Sequence, residues 1–188
     1  MLQDIYLNEW LSIFLVAIAL GMDAFSLGMG VGFRGLSNLQ IGKISLTIGL
    51  LHVLMPLVGM IIGRYLSARM GEIAVWLGGM LLAILGLHMI WSAFKTMTYP
   101  PVLDISGLWG ILLFSFSVSL DALSVGFSVG LFDAHVVLTV ITFGLAGGML
   151  AFLGLQLGNQ TGHWLGKYGE VIGGVILLAF GMKFLLPI

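Results

Sequence analysis

The chain has 188 residues, is 60% hydrophobic and only 8% charged, and has a mean hydropathy of +1.15. A soluble domain carries about 25% charged residues, so this composition cannot cover a water-facing globule, and lipid must solvate most of the surface. The net charge of −1 says nothing about a partner, no basic stretch suggests nucleic acid, and the absence of cysteine excludes disulfides and thiolate metal ligands.

The first ten residues carry Asp4 and Glu9 but no Lys or Arg. A secretory signal starts with a positive region, so the first apolar segment is expected to remain as a span. Crossing about 30 Å of hydrocarbon takes roughly 20 residues, and six segments qualify. They fall at about Trp10–Val31, Lys43–Ile62, Ile73–Phe94, Leu108–Gly130, Val136–Leu157 and Val171–Leu186. Short connections are expected at Gly32–Gly42, Gly63–Glu72 and Leu131–His135. The longest, Lys95–Gly107 with Tyr99-Pro100-Pro101, divides the chain into a first three-helix unit (1–94), a connecting loop (95–107) and a second three-helix unit (108–188).

The two units are repeats. At an offset of 98, Asp23, Ala24, Ser26, Gly28, Val31 and Gly32 meet Asp121, Ala122, Ser124, Gly126, Val129 and Gly130. From Thr47 onward the offset is 95, and Thr47, Gly49, Gly59 and Gly63 meet Thr142, Gly144, Gly154 and Gly158. Three spans is an odd number, so the second unit starts on the opposite side of the membrane from the first. The expected fold is an all-α membrane protein of six transmembrane helices, built as two inverted three-helix repeats. Such folds place substrate sites near the midplane, between the repeats.

Asp23 and Asp121 stand mid-span in near-identical settings, Gly-Met-Asp23-Ala-Phe-Ser and Ser-Leu-Asp121-Ala-Leu-Ser-Val-Gly. A carboxylate at that depth costs at least about 2.5 kcal/mol on insertion scales, so it marks function by default. Ser117, Asp121, Ser124 and Ser128 fall on one helical stripe, and Asp23 and Ser26 repeat the i, i+3 relation. Two carboxylates with hydroxyls nearby suit a hard divalent cation such as Mn²⁺, Mg²⁺ or Ca²⁺. The bland reading of the serines is back-bonding to the carbonyl four residues earlier. Glycine is abundant, at 28 residues, and membrane helices associate through such small residues. Gly28, Gly32, Gly126 and Gly130 lie one or two turns from the aspartates, where close approach would join the first and fourth spans or free carbonyls for a ligand.

His52 lies four residues before Pro56, whose ring frees a carbonyl near it; it is a candidate third ligand or proton carrier. Its repeat mate is Gly147, so such a site would be asymmetric. His88 and Lys183 are repeat mates near span ends and are expected to snorkel to the interface. The 11 methionines read as packing material rather than a Cu(I) site.

The two Asp-Ala motifs, in a six-span chain of this length, resemble the bacterial manganese efflux pump (MntP-type) family of the lysine-exporter superfamily. The resemblance covers essentially the whole chain. It implies Mn²⁺ export across the bacterial cytoplasmic membrane by a multi-pass protein. The metal is then substrate rather than cofactor, and Asp23, Asp121, Ser26, Gly32 and Ser124 lie on the cation path. The chain departs from the family pattern at His52, where an acidic residue is expected before the Leu-x-Pro-Leu motif; this removes a negative charge. A sporulation-linked subgroup shares the repeats.

Two other classes of membrane protein use such carboxylates. Intramembrane aspartyl proteases also pair two membrane aspartates, but they resemble one another in a Gly-x-Gly-Asp signature that neither Met22-Asp23 nor Leu120-Asp121 provides. An exporter of an amino acid or other organic cation would use the same carboxylates, yet no Arg or Lys lies deep in a span to receive a substrate carboxylate. With both termini outside, Arg34, Lys43, Lys95 and Lys167 face inward against Arg64, Arg69 and Lys183 outward, which the positive-inside rule favours by one charge. Metal binding needs deprotonated ligands, so protons are the expected counter-ion, with His52 as relay.

Overall fold

The computed structural model describes residues 2–32, 35–70, 72–94, 107–132, 134–160 and 164–185. Among them six helices form the fold: α1 (Leu2–Gly32), α2 (Asn38–Met70), α3 (Glu72–Phe94), α4 (Leu108–Leu131), α5 (Val136–Gln160) and α6 (Trp164–Leu185). Most of the 95–107 connecting loop, with Lys95 and Tyr99-Pro100-Pro101, lies outside the described residues, as does Arg34.

Helix is the expected answer where no water competes for the backbone, because every N–H and C=O must then be satisfied within its own segment. α1, α2, α4 and α5 each hold a stretch long and apolar enough to cross a membrane, while the apolar stretches described in α3 and α6 are shorter, Trp76–Trp91 and Gly174–Lys183. Large side chains such as Leu46, Leu50, Leu54, Leu145 and Met149 are exposed, whereas Ala17, Ala19, Ala122 and Ala151 are fully buried. Small residues inside and large apolar ones outside is the arrangement a lipid-solvated bundle needs.

α2 starts earlier than its hydropathy suggests, because Ser37 and Gln40 form a capping box. Ser37 N–H donates to Gln40 Oε1 (3.0 Å) and Gln40 N–H donates to Ser37 Oγ (3.3 Å). Its far end also differs from expectation. The predicted connection Gly63–Glu72 is almost wholly helical, since α2 continues to Met70 and α3 begins at Glu72. These last turns have work to do at the end of α4. Arg64 Nη2 donates to the Ala134 carbonyl (2.6 Å) and Ser67 Oγ to the Leu131 carbonyl (3.1 Å), while Arg69 stacks over the Tyr65 ring at 4.7 Å. Carbonyls at a helix end have no partner in their own helix and need one from elsewhere. Pro56 sits inside α2 without ending it.

The helices pair crosswise. α1 packs chiefly on α5, α2 on α4 and α3 on α6, with α2 also against α5 and α1 against α6. Glycines set these pairings. A Cβ on Gly28 would run into the Ala151 carbonyl, and one on Gly126 into Pro56; Gly32 faces Leu155 and Gly130 faces Met60 in the same way. Each contact maps onto its partner by the sequence offsets of 98 and 95. Two hydrogen bonds match likewise: Asn159 Nδ2 donates to the Leu36 carbonyl (3.2 Å), at positions equivalent to Arg64 and Ala134.

Candidate metal site

Asp23 on α1 and Asp121 on α4 line one narrow pocket, together with Leu20, Leu85, His88, Met89, Val125 and Leu177. Four helices therefore contribute, with α3 and α6 supplying the rest of the wall. The cavity volume is about 10 Å³ on the scale of a water's centre, about what one water requires. Both aspartates are half-buried and five of the eight lining side chains are aliphatic or thioether groups. Fields inside such a wall are screened far less than in water, so a cation between the two carboxylates would feel both.

The glycines near the aspartates do not join α1 to α4. Gly28 and Gly32 lie against the backbone of α5, and Gly126 and Gly130 against that of α2. The reason is complementarity: Gly154 and Gly158 on α5, and Gly59 and Gly63 on α2, offer matching flat backbone at the same spacing. α1 and α4 make few mutual contacts. Their aspartates share a pocket because α3 and α6 close it, not because their own backbones touch.

The hydroxyls are dispersed. Ser26 is buried, Ser124 half-buried and Ser117 exposed, and none of the three is among the pocket's lining residues. Ser128 is buried with an Oγ that has no hydrogen-bond partner. Back-bonding does occur, at Ser45 to Ile41 and Ser119 to Ser115, both 2.8 Å.

His52 stands apart from the aspartate pocket. It is fully buried, and its Nδ1 donates to the Ile48 carbonyl (3.1 Å) and to Ser119 Oγ (3.0 Å). The carbonyl can only accept and Ser119 already donates to Ser115, so Nδ1 carries the proton. Nε2 is left as the second ring nitrogen, without a hydrogen-bond partner. Ser119 and Asp121 are two residues apart, about 200° around the helix, which puts His52 across α4 from the carboxylate. Its ring fills the space opposite its own repeat mate: a Cβ on Gly147 would fall 2.5 Å from Cδ2 and 2.6 Å from Cγ of His52. Gly147→Ala is therefore expected to destabilise the protein by about 1–3 kcal/mol through overpacking. In a His52→Ala background that cost should largely vanish, and thermal unfolding of the four proteins in detergent measures the coupling. Equal costs in both backgrounds would refute the contact.

His88 is the lining residue that the sequence assigned to the interface rather than to the site. Its position near the end of α3 suggested snorkelling, and Lys183, its repeat mate, is indeed exposed. His88 instead reaches the pocket, with Leu85 and Met89 on the same helical face. That face, i, i+3 and i+4, was the available signal, but an exposed span end gives the same pattern. Among the described residues, no group of three His, Cys, Asp or Glu side chains is gathered tightly enough to hold a metal ion.

Comparison with known proteins adds the decisive observation. The family described as "Putative manganese efflux pump" matches residues 36–185. The chain belongs to this MntP family. It is 45% identical over 185 residues to the "Putative manganese efflux pump MntP" of Bacillus licheniformis, covering 98% of both chains. Identity to the protein of the same description from Geobacillus thermodenitrificans is 47%, over 95% of this chain and 97% of the relative. With that of Bacillus velezensis it is 44%, over the full length of both. No solved structure matches. The MntP family is one of transporters rather than enzymes, and membership together with several long apolar helices makes this chain a multi-pass membrane protein. The family match includes His52, His88 and Asp121, while Asp23 lies ahead of it and is covered by the full-length relatives.

Proposed function

We propose that this chain exports Mn²⁺, and related divalent cations, from the cytoplasm across the bacterial cytoplasmic membrane. The ion passes through a midplane site built on Asp23 and Asp121, with Ser26 and Ser124 nearby, and protons return in exchange. The observation that carries this reading is that two membrane aspartates from distant parts of the chain line the same narrow pocket. Two carboxylates neutralise one divalent charge, which lowers the cost of holding it away from water.

The architecture proposed with it is six spans in two inverted repeats, 1–94 and 108–188. Its support is the pairwise match of glycine contacts, Gly28 with Gly126 and Gly32 with Gly130, each against the second helix of the other unit. An organic cation fits less well, because a cavity sized for one water does not admit an amino acid. Proteoliposomes carrying the protein should move Mn²⁺ in preference to lysine; transport of lysine with no Mn²⁺ flux would overturn the reading.

Proton exchange has its own test. Carboxylates must be deprotonated to bind metal and take up protons when it leaves. Acidifying the side from which Mn²⁺ loads should therefore weaken apparent affinity, and an opposing proton gradient should accelerate efflux. His52, bonded to Ser119 on the helix that carries Asp121, is the candidate relay. Efflux indifferent to the pH gradient, with membrane potential clamped, would exclude exchange.

A further inference from the structure

We infer that His88 is the outer ligand of the aspartate pocket and the residue that biases it towards first-row transition ions over Mg²⁺ and Ca²⁺. The inference rests on the Mn²⁺ export reading and adds to it a residue and a basis for selectivity. Leu20, Met89, Val125 and Leu177 are buried, Leu85, Asp23 and Asp121 are half-buried, and His88 alone of the lining residues is exposed. The imidazole is therefore the part of the pocket wall that reaches furthest towards the surroundings.

Chemistry gives that position its meaning. Mn²⁺ and Mg²⁺ carry the same charge, and both accept carboxylate and water oxygens. A pocket with two carboxylates alone has little ground for telling them apart. Imidazole nitrogen is bound best by the later first-row ions; Mn²⁺ stands first in that series and prefers oxygen, yet it accepts a nitrogen ligand more readily than the alkaline-earth ions, which take oxygen ligands. The rest of the wall offers no competing donor except the Met89 thioether, whose softness selects Cu(I) rather than Mn²⁺. Asp23, Asp121 and His88 surround the cavity without converging to bonding distance. Loading a bare ion in place of the single water the cavity admits draws the three side chains inward, and the ring on the rim closes over it. The repeat mate of His88 is Lys183, a cation that repels metal, so the ring marks one side of the pocket only.

The test is pulsed EPR on Mn²⁺-loaded protein in detergent or nanodiscs. A ring nitrogen bound to Mn²⁺ gives a hyperfine coupling that a merely structural histidine does not. The wild type should show one imidazole nitrogen, His88→Gln should lose it, and His52→Gln should keep it. In the same His88→Gln protein, Mg²⁺ should compete with Mn²⁺ better by about tenfold or more, the scale of loss typical even of an outer partner of a metal ligand. Nitrogen coupling that persists in His88→Gln, or is absent from the loaded wild type, overturns the assignment while leaving Mn²⁺ export intact. A wild type that binds and moves no Mn²⁺ overturns both readings, and because that arm uses the unaltered chain it does not depend on any variant folding.

Discussion

Asp23→Asn and Asp121→Asn should each abolish Mn²⁺ export while leaving membrane insertion and thermal stability near those of the parent. Asparagine keeps the size of aspartate but exchanges one acceptor oxygen for an NH₂ donor and removes one unit of charge from a site that must neutralise two. In a wall of Leu20, Leu85, Val125 and Leu177, no neighbouring dipole replaces it at comparable strength. Each unit of the ion's charge, about 4 Å from a carboxylate, is worth about 4 kcal/mol at an effective dielectric constant of 20, so for a divalent ion the expected loss is at least about three orders of magnitude in affinity. The check is survival under high Mn²⁺ of a cell lacking its own exporter, with protein levels measured in isolated membranes. Either variant protecting as well as the parent would remove that aspartate from the path. The two losses should also be alike in size, since both carboxylates are half-buried in the same cavity.

Gly154→Ala should be the most damaging single methyl group among the interface glycines. A Cβ there would strike the carbonyl oxygen, carbonyl carbon and Cα of Phe25, all backbone, and none can turn aside as a side-chain tip could. Overpacking of this kind costs about 1–3 kcal/mol and sometimes more, and here relief requires α1 and α5 to separate. The equivalent change Gly59→Ala meets the backbone of Leu123 and Phe127 and should behave alike. Gly42→Ala, on α2 with open space around it, is the contrasting case. It should be neutral or stabilising by up to about 1 kcal/mol from helix propensity alone. Thermal unfolding in detergent, followed by monodisperse elution, separates these outcomes. A Gly154→Ala protein as stable as the parent would refute the α1–α5 pairing.

Much of the candidate site could be anticipated from the chain itself, and its limits are instructive. Asp23 and Asp121 announce themselves because a carboxylate in an apolar span is costly wherever the span packs. The glycines announce close approach for a similar reason: only small residues let backbones meet in lipid. What the glycine pattern does not carry is the identity of the partner. Gly28 and Gly32 could equally have met Gly126 and Gly130, and the sequence reading favoured that; the structure sets them against Gly154 and Gly158 instead. His52 drew attention as a polar group beside Pro56; its Nδ1 is taken by Ile48 and Ser119 and its ring lies opposite Gly147, away from the aspartate pocket. His88 is assigned to the interface by its sequence, because a histidine near a helix end satisfies every local rule for a snorkelling residue.

By itself the amino-acid order determined the solvent, the helices and their apolar stretches, the internal repetition and the family, since each follows from composition or from local and periodic spacing. The tertiary structure alone decided which helix each glycine faces, how far α2 runs past its hydropathic end, and which imidazole joins the aspartates. Those outcomes depend on surfaces that are distant in the chain. Arg64 bonds to the Ala134 carbonyl, 70 residues away in the chain, and His88 lines the pocket on a helix that lies beside α4 and α6. Nothing within one helix records what will be packed against it.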